Sequence, residues 1–147
     1  MITDSLLLLS SAQAVTATAF STNTIDLGSN RDVGAGQQLS AQISVDTTVT
    51  AAGAATVRFE VVTSANANLS TPTVIAASGD VPKASLAIGA RVVVDIPDNY
   101  ITPLGQRYLG VQYTVSTGPL TAGNFTATIL NGEQDVQKSY PSGYTVL

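Results

Sequence analysis

Apolar and polar residues alternate with a period of two along most of the chain, the pattern of strands with one buried face. In QLSAQISVD, Leu39, Ala41, Ile43 and Val45 fall on one side, and Ser40, Gln42, Ser44 and Asp46 on the other. TVRFEVV sets Val57, Phe59 and Val61 against Arg58 and Glu60. RVVVDI contributes Val92, Val94 and Ile96, and YLGVQYTV contributes Leu109, Val111, Tyr113 and Val115. In NFTATI, Phe125, Ala127 and Ile129 turn inward while Thr126 and Thr128 turn outward. Weaker strands are predicted at Thr24–Leu27, Thr73–Ala77 and Tyr144–Leu147.

Turn-forming residues separate these runs. Gly34-Ala35-Gly36, Ala52-Gly53, Ser78-Gly79-Asp80, Ile96-Pro97-Asp98-Asn99, Thr102-Pro103-Leu104-Gly105 and Thr117-Gly118-Pro119 are all breakers. Short strands at this spacing predict an all-β protein, an antiparallel sandwich or jelly roll. Leu39, Ile43, Val57, Phe59, Val94, Val111 and Phe125 are its expected core. The 147 residues suit one domain, and neither an internal repeat nor a linker is visible.

The first twenty residues read differently. Leu6, Leu7, Leu8 and Leu9 form an apolar run, followed by Ala12-Gln13-Ala14, which has the form of a small-residue cleavage site. A secretory signal also needs a basic start and an apolar stretch of about 7–15 residues. Here Asp4 is the sole charge before Leu6, and Ser10 and Ser11 end the run. A membrane-crossing helix would need about 20 apolar residues. The expectation is a retained N-terminal arm over residues 1–20, with room for a helical turn or two before Val15, leading into a jelly-roll domain over residues 21–147.

Composition narrows the function. Only 11% of residues are charged, against about a quarter in ordinary domains, so Ser and Thr supply much of the polar surface. Such a surface costs little to desolvate against another protein. Net charge is −4, and six scattered Lys and Arg leave no basic footprint for nucleic acid or an anionic membrane. With no cysteine, stability must come from packing or from assembly, and self-association as a dimer or trimer is expected.

Candidate chemistry is sparse. Histidine and cysteine are both absent, which removes the commonest general base, the zinc ligands and thiol catalysis. A serine nucleophile would need Lys83 or Lys138 as its base, but Ser85 and Ser139 show no arrangement that brings base and nucleophile together. Asp95 with Asp98, and Glu133 with Asp135, read as turn and loop residues rather than a glycosidase or calcium pair. No phosphate-binding glycine motif occurs, and there is no Trp to serve as a sugar platform. The chain therefore reads as a structural or interaction protein, not an enzyme, with no cofactor and no metal.

Three stretches carry a resemblance that goes beyond pattern: MITDSLLLLSSAQAVTATAFSTNTIDLG, the late hairpin VQYTVSTGPLTAGNFTATI, and the tail KSYPSGYTVL. Together they resemble the jelly-roll capsid cement, or decoration, proteins of tailed bacteriophages, the type first recognised in a Bordetella phage. Thr117-Gly118-Pro119-Leu120-Thr121-Ala122-Gly123 is the most specific part. The resemblance implies a non-enzymatic protein, made in the host cytoplasm and placed on the outer surface of the virion head. There it would bridge subunits of the major capsid protein and stabilise the shell. It does not say which residues touch the shell. From their chemistry, Leu6, Leu7, Leu8 and Leu9, with Tyr140, Pro141 and Tyr144, are the expected contacts to the capsid or a sister subunit. The alternative is a receptor- or carbohydrate-binding β-sandwich module of a phage tail fibre.

Overall fold

The computed structural model describes residues 4–33, 36, 38–97 and 105–131. Nine strands form there: β1 (Leu8–Ala14), β2 (Ala19–Phe20), β3 (Ile25–Asp26), β4 (Leu39–Ala51), β5 (Thr56–Ser64), β6 (Thr73–Pro82), β7 (Arg91–Ile96), β8 (Tyr108–Ser116) and β9 (Leu120–Asn131). The five strong alternating runs correspond to β4, β5, β7, β8 and β9. The weaker ones at 24–27 and 73–77 contain β3 and the first half of β6. The strand expected at Tyr144–Leu147 lies outside the described residues, as does most of Gly34-Ala35-Gly36.

The strands pair antiparallel in two sheets, ordered β1-β9-β4-β7 and β2-β8-β5-β6, with β3 continuing the line of β2 along β8. This is jelly-roll order. It arises when one long ribbon of paired strands folds over on itself. The ribbon's successive rungs are β1 with β9, β2 and β3 with β8, β4 with β7, and β5 with β6. Alternate rungs go to opposite sheets, and folding then brings β9 against β4 and β8 against β5. Jelly rolls bury one face of each sheet in this way.

Three expectations change. VQYTVSTGPLTAGNFTATI is not a hairpin: β8 and β9 lie in different sheets, so Thr117-Gly118-Pro119 is an arch between layers. Turn residues signal that the chain reverses, not whether the two arms pair. Ser78-Gly79-Asp80 does not end a strand either. Gly79 adopts φ 75°, a left-handed value open to glycine, at a bulge through which β6 continues to Pro82. The arm expected over residues 1–20 ends by Leu7, because Leu8–Ala14 is the edge strand of the first sheet. Its alternation is broken by register shifts against β9 and by φ 45° at Ala12, so the period-two signal is lost.

The core closes around three rings. Phe59 of β5 meets Tyr113 of β8 edge-on, centroids 5.9 Å apart at 89°, and Phe125 of β9 at 5.3 Å and 77°. Tyr113 and Phe125 stack across the two sheets at 5.4 Å and 16°. All three are fully buried, and such pairs add about 0.5–1.5 kcal/mol beyond their area. The Tyr113 hydroxyl is hydrogen-bonded to Ser10 Oγ of β1, so its polar tip is satisfied inside. Ile43, Val57, Val94 and Val111 are buried as expected. Leu39 is only half-buried, since it begins β4 at the rim of the sandwich, opposite Ile96 and Asn131. Ser40 and Gln42 hold outward positions of β4 yet are buried.

A second, smaller cluster sits on the outer face of the second sheet. Residues 65–72 fold back over it and place Leu69, fully buried, on Gly110 of β8, next to the buried Val62. Two sheet edges are also managed. Beside β1, Asn23 donates its backbone N–H to Leu9 O at 2.8 Å and its amide to Leu8 O at 3.2 Å. Carbonyls that would invite another strand are thereby occupied. Beside β3, Asp26 takes two bonds of 2.8 Å from Arg107, whose guanidinium also lies 5.1 Å from the Tyr108 ring centroid.

Candidate interaction surface

The four-leucine run is divided by the fold. Asp4 starts a 3-10 turn over Ser5–Leu7, its side chain accepting from Leu6 N at 2.9 Å. This turn holds Leu6 out in solvent at 81% exposure. Leu7 packs partly against the core, and its carbonyl accepts from Thr128 Oγ1 at 3.2 Å. Thr128, expected to face water, is covered there. Leu8 is half-buried in β1, and Leu9 is fully buried in the core. One leucine of four is thus exposed, and the others fasten the turn to β9 and the interior. Tyr140, Pro141 and Tyr144 lie outside the described residues.

Registers place the start of β1 and the end of β9 at one end of the sandwich. The links 15–18, 52–55, 83–90 and 117–119 gather at the other end. That far end carries a second exposed apolar residue, Ile88, at 70% exposure. Its segment runs beside β4: Val45 N bonds Ala90 O, Gly89 N bonds Val45 O and Val49 N bonds Leu86 O, each at 2.9 Å. Leu86 plugs the core, and Ile88 N donates to Thr48 Oγ1 at 2.9 Å. The chain is held at both sides of Ile88 while its side chain stands free. Sequence reading missed this residue. Its signal was an isoleucine outside any alternating run, next to Gly89, in SLAIGA.

Next to Ile88 is a depression of about 320 Å³ lined by Thr48, Val49, Thr50, Ala51, Lys83, Ala84 and Ala87. Lys83, half-buried, donates from Nζ to Ala51 O at 2.5 Å. Lys83 was weighed in sequence as a base for Ser85. The structure gives its ammonium to a backbone carbonyl instead. A third exposed apolar side chain, Val74 at 43%, lies on edge strand β6.

Charges elsewhere act as local fastenings. Arg58 pairs with Asp80 at 2.9 Å and approaches Glu60 at 3.8 Å, and Glu60 accepts from Thr114 Oγ1 at 2.6 Å. Hydrogen bonding from Arg107, then from Gly28 N, brings Asp26 down to about 2. Burial pushes the Tyr113 hydroxyl up to about 12. No group of His, Cys, Asp or Glu suited to a metal occurs among the described residues. Among them, too, no helix is long and apolar enough to cross a membrane. Among the described residues, the surface around Ile88 combines that apolar side chain with threonine hydroxyls and the half-buried Lys83.

The Bbp16 protein-family model matches residues 9–129, from within β1 nearly to the end of β9. No curated protein matches the chain. The chain belongs to the Bbp16 family, which is named for a Bordetella phage protein.

Proposed function

We propose that this Bbp16-family chain is a non-enzymatic cement protein that binds the outer surface of a phage head and bridges its major capsid protein subunits. The reading is carried by the display of Leu6 and Ile88 at opposite ends of one jelly roll. A rigid sandwich with an apolar anchor at each end can engage two neighbouring subunits at once. Linked contacts raise avidity by about 10²–10⁴ over a single one, so small patches suffice. Low charge supports the same reading, because little solvation is lost when the surface is covered. Self-association as a dimer or trimer would multiply these contacts further. A chain of 15.0 kDa with 8226 Å² of surface has room for a sister subunit and for the shell, at about 800 Å² per partner.

The test is add-back. Heads prepared without the protein are mixed with purified chain, and occupancy is followed with the temperature at which packaged DNA escapes. Saturable binding with a raised escape temperature is expected. Failure to bind matched mature heads at low and moderate salt overturns the proposal.

A further inference from the structure

We infer that the depression around Lys83 is a socket for an acidic side chain of the partner protein, with Ile88 as the apolar contact beside it. This rests on the head-binding reading above and names the chemistry of the contact. An ammonium carries three donors, and Lys83 gives one to Ala51 O. Among the described residues no carboxylate pairs with it. Arg58 and Arg107, by contrast, both meet carboxylates of their own chain. A half-buried cation whose partner among the described residues is a neutral carbonyl retains most of its attraction for an anion, and partial burial lessens screening by salt.

The surroundings fit a carboxylate. Ala51, Ala84 and Ala87 keep the walls low, so a side chain can enter a space of about 320 Å³. Thr48 Oγ1 accepts from Ile88 N, which leaves its own hydrogen available to donate. Thr50 Oγ1 and Thr121 Oγ1 share one hydrogen bond of 2.7 Å, so one of their two hydrogens is likewise available. A carboxylate accepts at both oxygens and is matched by an ammonium with neighbouring hydroxyl donors. The same Thr48 hydroxyl anchors the backbone of Ile88, so the ionic and apolar contacts are set at fixed spacing on one edge of the sandwich. Asp or Glu followed or preceded by a shallow apolar pocket on the shell protein is the complement.

The experiment compares wild-type, Lys83→Gln and Lys83→Arg chains on heads lacking the protein. It then treats decorated heads with a carbodiimide, which joins an amine to a carboxylate in contact with loss of water. Lys83→Gln should bind about tenfold more weakly, or roughly 1.4 kcal/mol, with an unchanged melting temperature. Lys83→Arg should retain most binding. Mass spectrometry should find Lys83 joined to an Asp or Glu of the shell protein, a link absent from Lys83→Arg. If wild type binds but Lys83→Gln binds equally and Lys83 forms no link, the socket is refuted and the head-binding reading stands. A link from Lys83 to a sister copy alone also refutes it. If wild type does not bind, both fall.

Discussion

Leu69 occupies the space that a side chain at Gly110 would need. A Cβ on Gly110 would lie 2.4 Å from Leu69 Cδ1 and 3.1 Å from Ser21 Oγ. Leu69 is fully buried and sits at φ 59°, so it has little freedom to retreat. One missing side chain on β8 therefore decides where residues 65–72 lie.

Gly110→Ala should destabilise the fold by about 1–3 kcal/mol, as overpacking does. Leu69→Ala should cost about 2–5 kcal/mol. Because each acts on the same seat, the double variant should lose at least about 0.5 kcal/mol less than the sum. Urea unfolding of the four proteins measures this, and strictly additive losses would refute the account.

Phe59→Ala and Phe125→Ala should each cost about 3–5 kcal/mol, since both rings are fully buried between the sheets. The melting temperature should fall by roughly 10 °C or more. A drop of only a degree or two would mean that the sandwich repacks around the gap.

Alkali should destabilise the fold through Tyr113. Its folded value of about 12 lies above the ordinary tyrosine value of 10.0, chiefly from burial. The associated stability is fully present below pH 10 and is lost as pH rises through about 12. The whole effect is worth roughly 2–3 kcal/mol. Tyr113→Phe should flatten that limb of the stability curve while lowering stability at neutral pH, because Ser10 Oγ loses its buried partner. An alkaline limb unchanged in Tyr113→Phe would count against this.

Acid acts through Asp26 in the opposite sense. Its folded value of about 2 lies below the ordinary aspartate value of 3.8, so the Arg107 pair stabilises above about pH 4 and is lost as pH falls through about 2. The pair is exposed, and salt should weaken it. A carboxyl carbon NMR titration of Asp26 should show a midpoint near 2, and a midpoint near 3.8 would dismiss the fastening.

Leu6→Ser and Ile88→Ser should leave stability within about 0.5 kcal/mol, as exposed substitutions do, yet each should reduce occupancy on heads. Leu9→Ser should instead damage the fold, because Leu9 is fully buried. Equal occupancy of both exposed variants with wild type would remove these residues from the interface.

Where alternation was regular, it disclosed the fold. Val57, Phe59 and Val61 face the core because the backbone of β5 leaves its side chains no other placement. The pattern fades where geometry departs from the ideal strand. Register shifts against β9 hid β1, and a two-residue strand such as β2 is too short to show a period. Pairing was also invisible, because β8 and β9 are neighbours in sequence yet belong to different sheets. At the surface, a leucine run suggested one uniform patch. The turn begun by Asp4 separated Leu6 from the three leucines behind it. Ile88 and Lys83 were legible as residue types, but their nearness through Thr48 and Ala51 depends on long-range strand register.

The first sheet has a bearing on when the protein can exist at all. Its two earliest long strands, β1 and β4, are both held by β9, with Leu8 opposite Thr128 and Leu39 opposite Asn131. During synthesis these strands must wait, unpaired along those edges, until β9 has emerged. The second sheet and the β4–β7 pair need no residue of β9, but the first sheet cannot close without it, and topologies of this kind fold in roughly milliseconds to seconds. A truncated or stalled chain lacking β9 would therefore leave the turn that carries Leu6 without Thr128, while the segment that carries Ile88 keeps its partners on β4. The end of the sandwich that carries Leu6 is thus completed late, once β9 is in place.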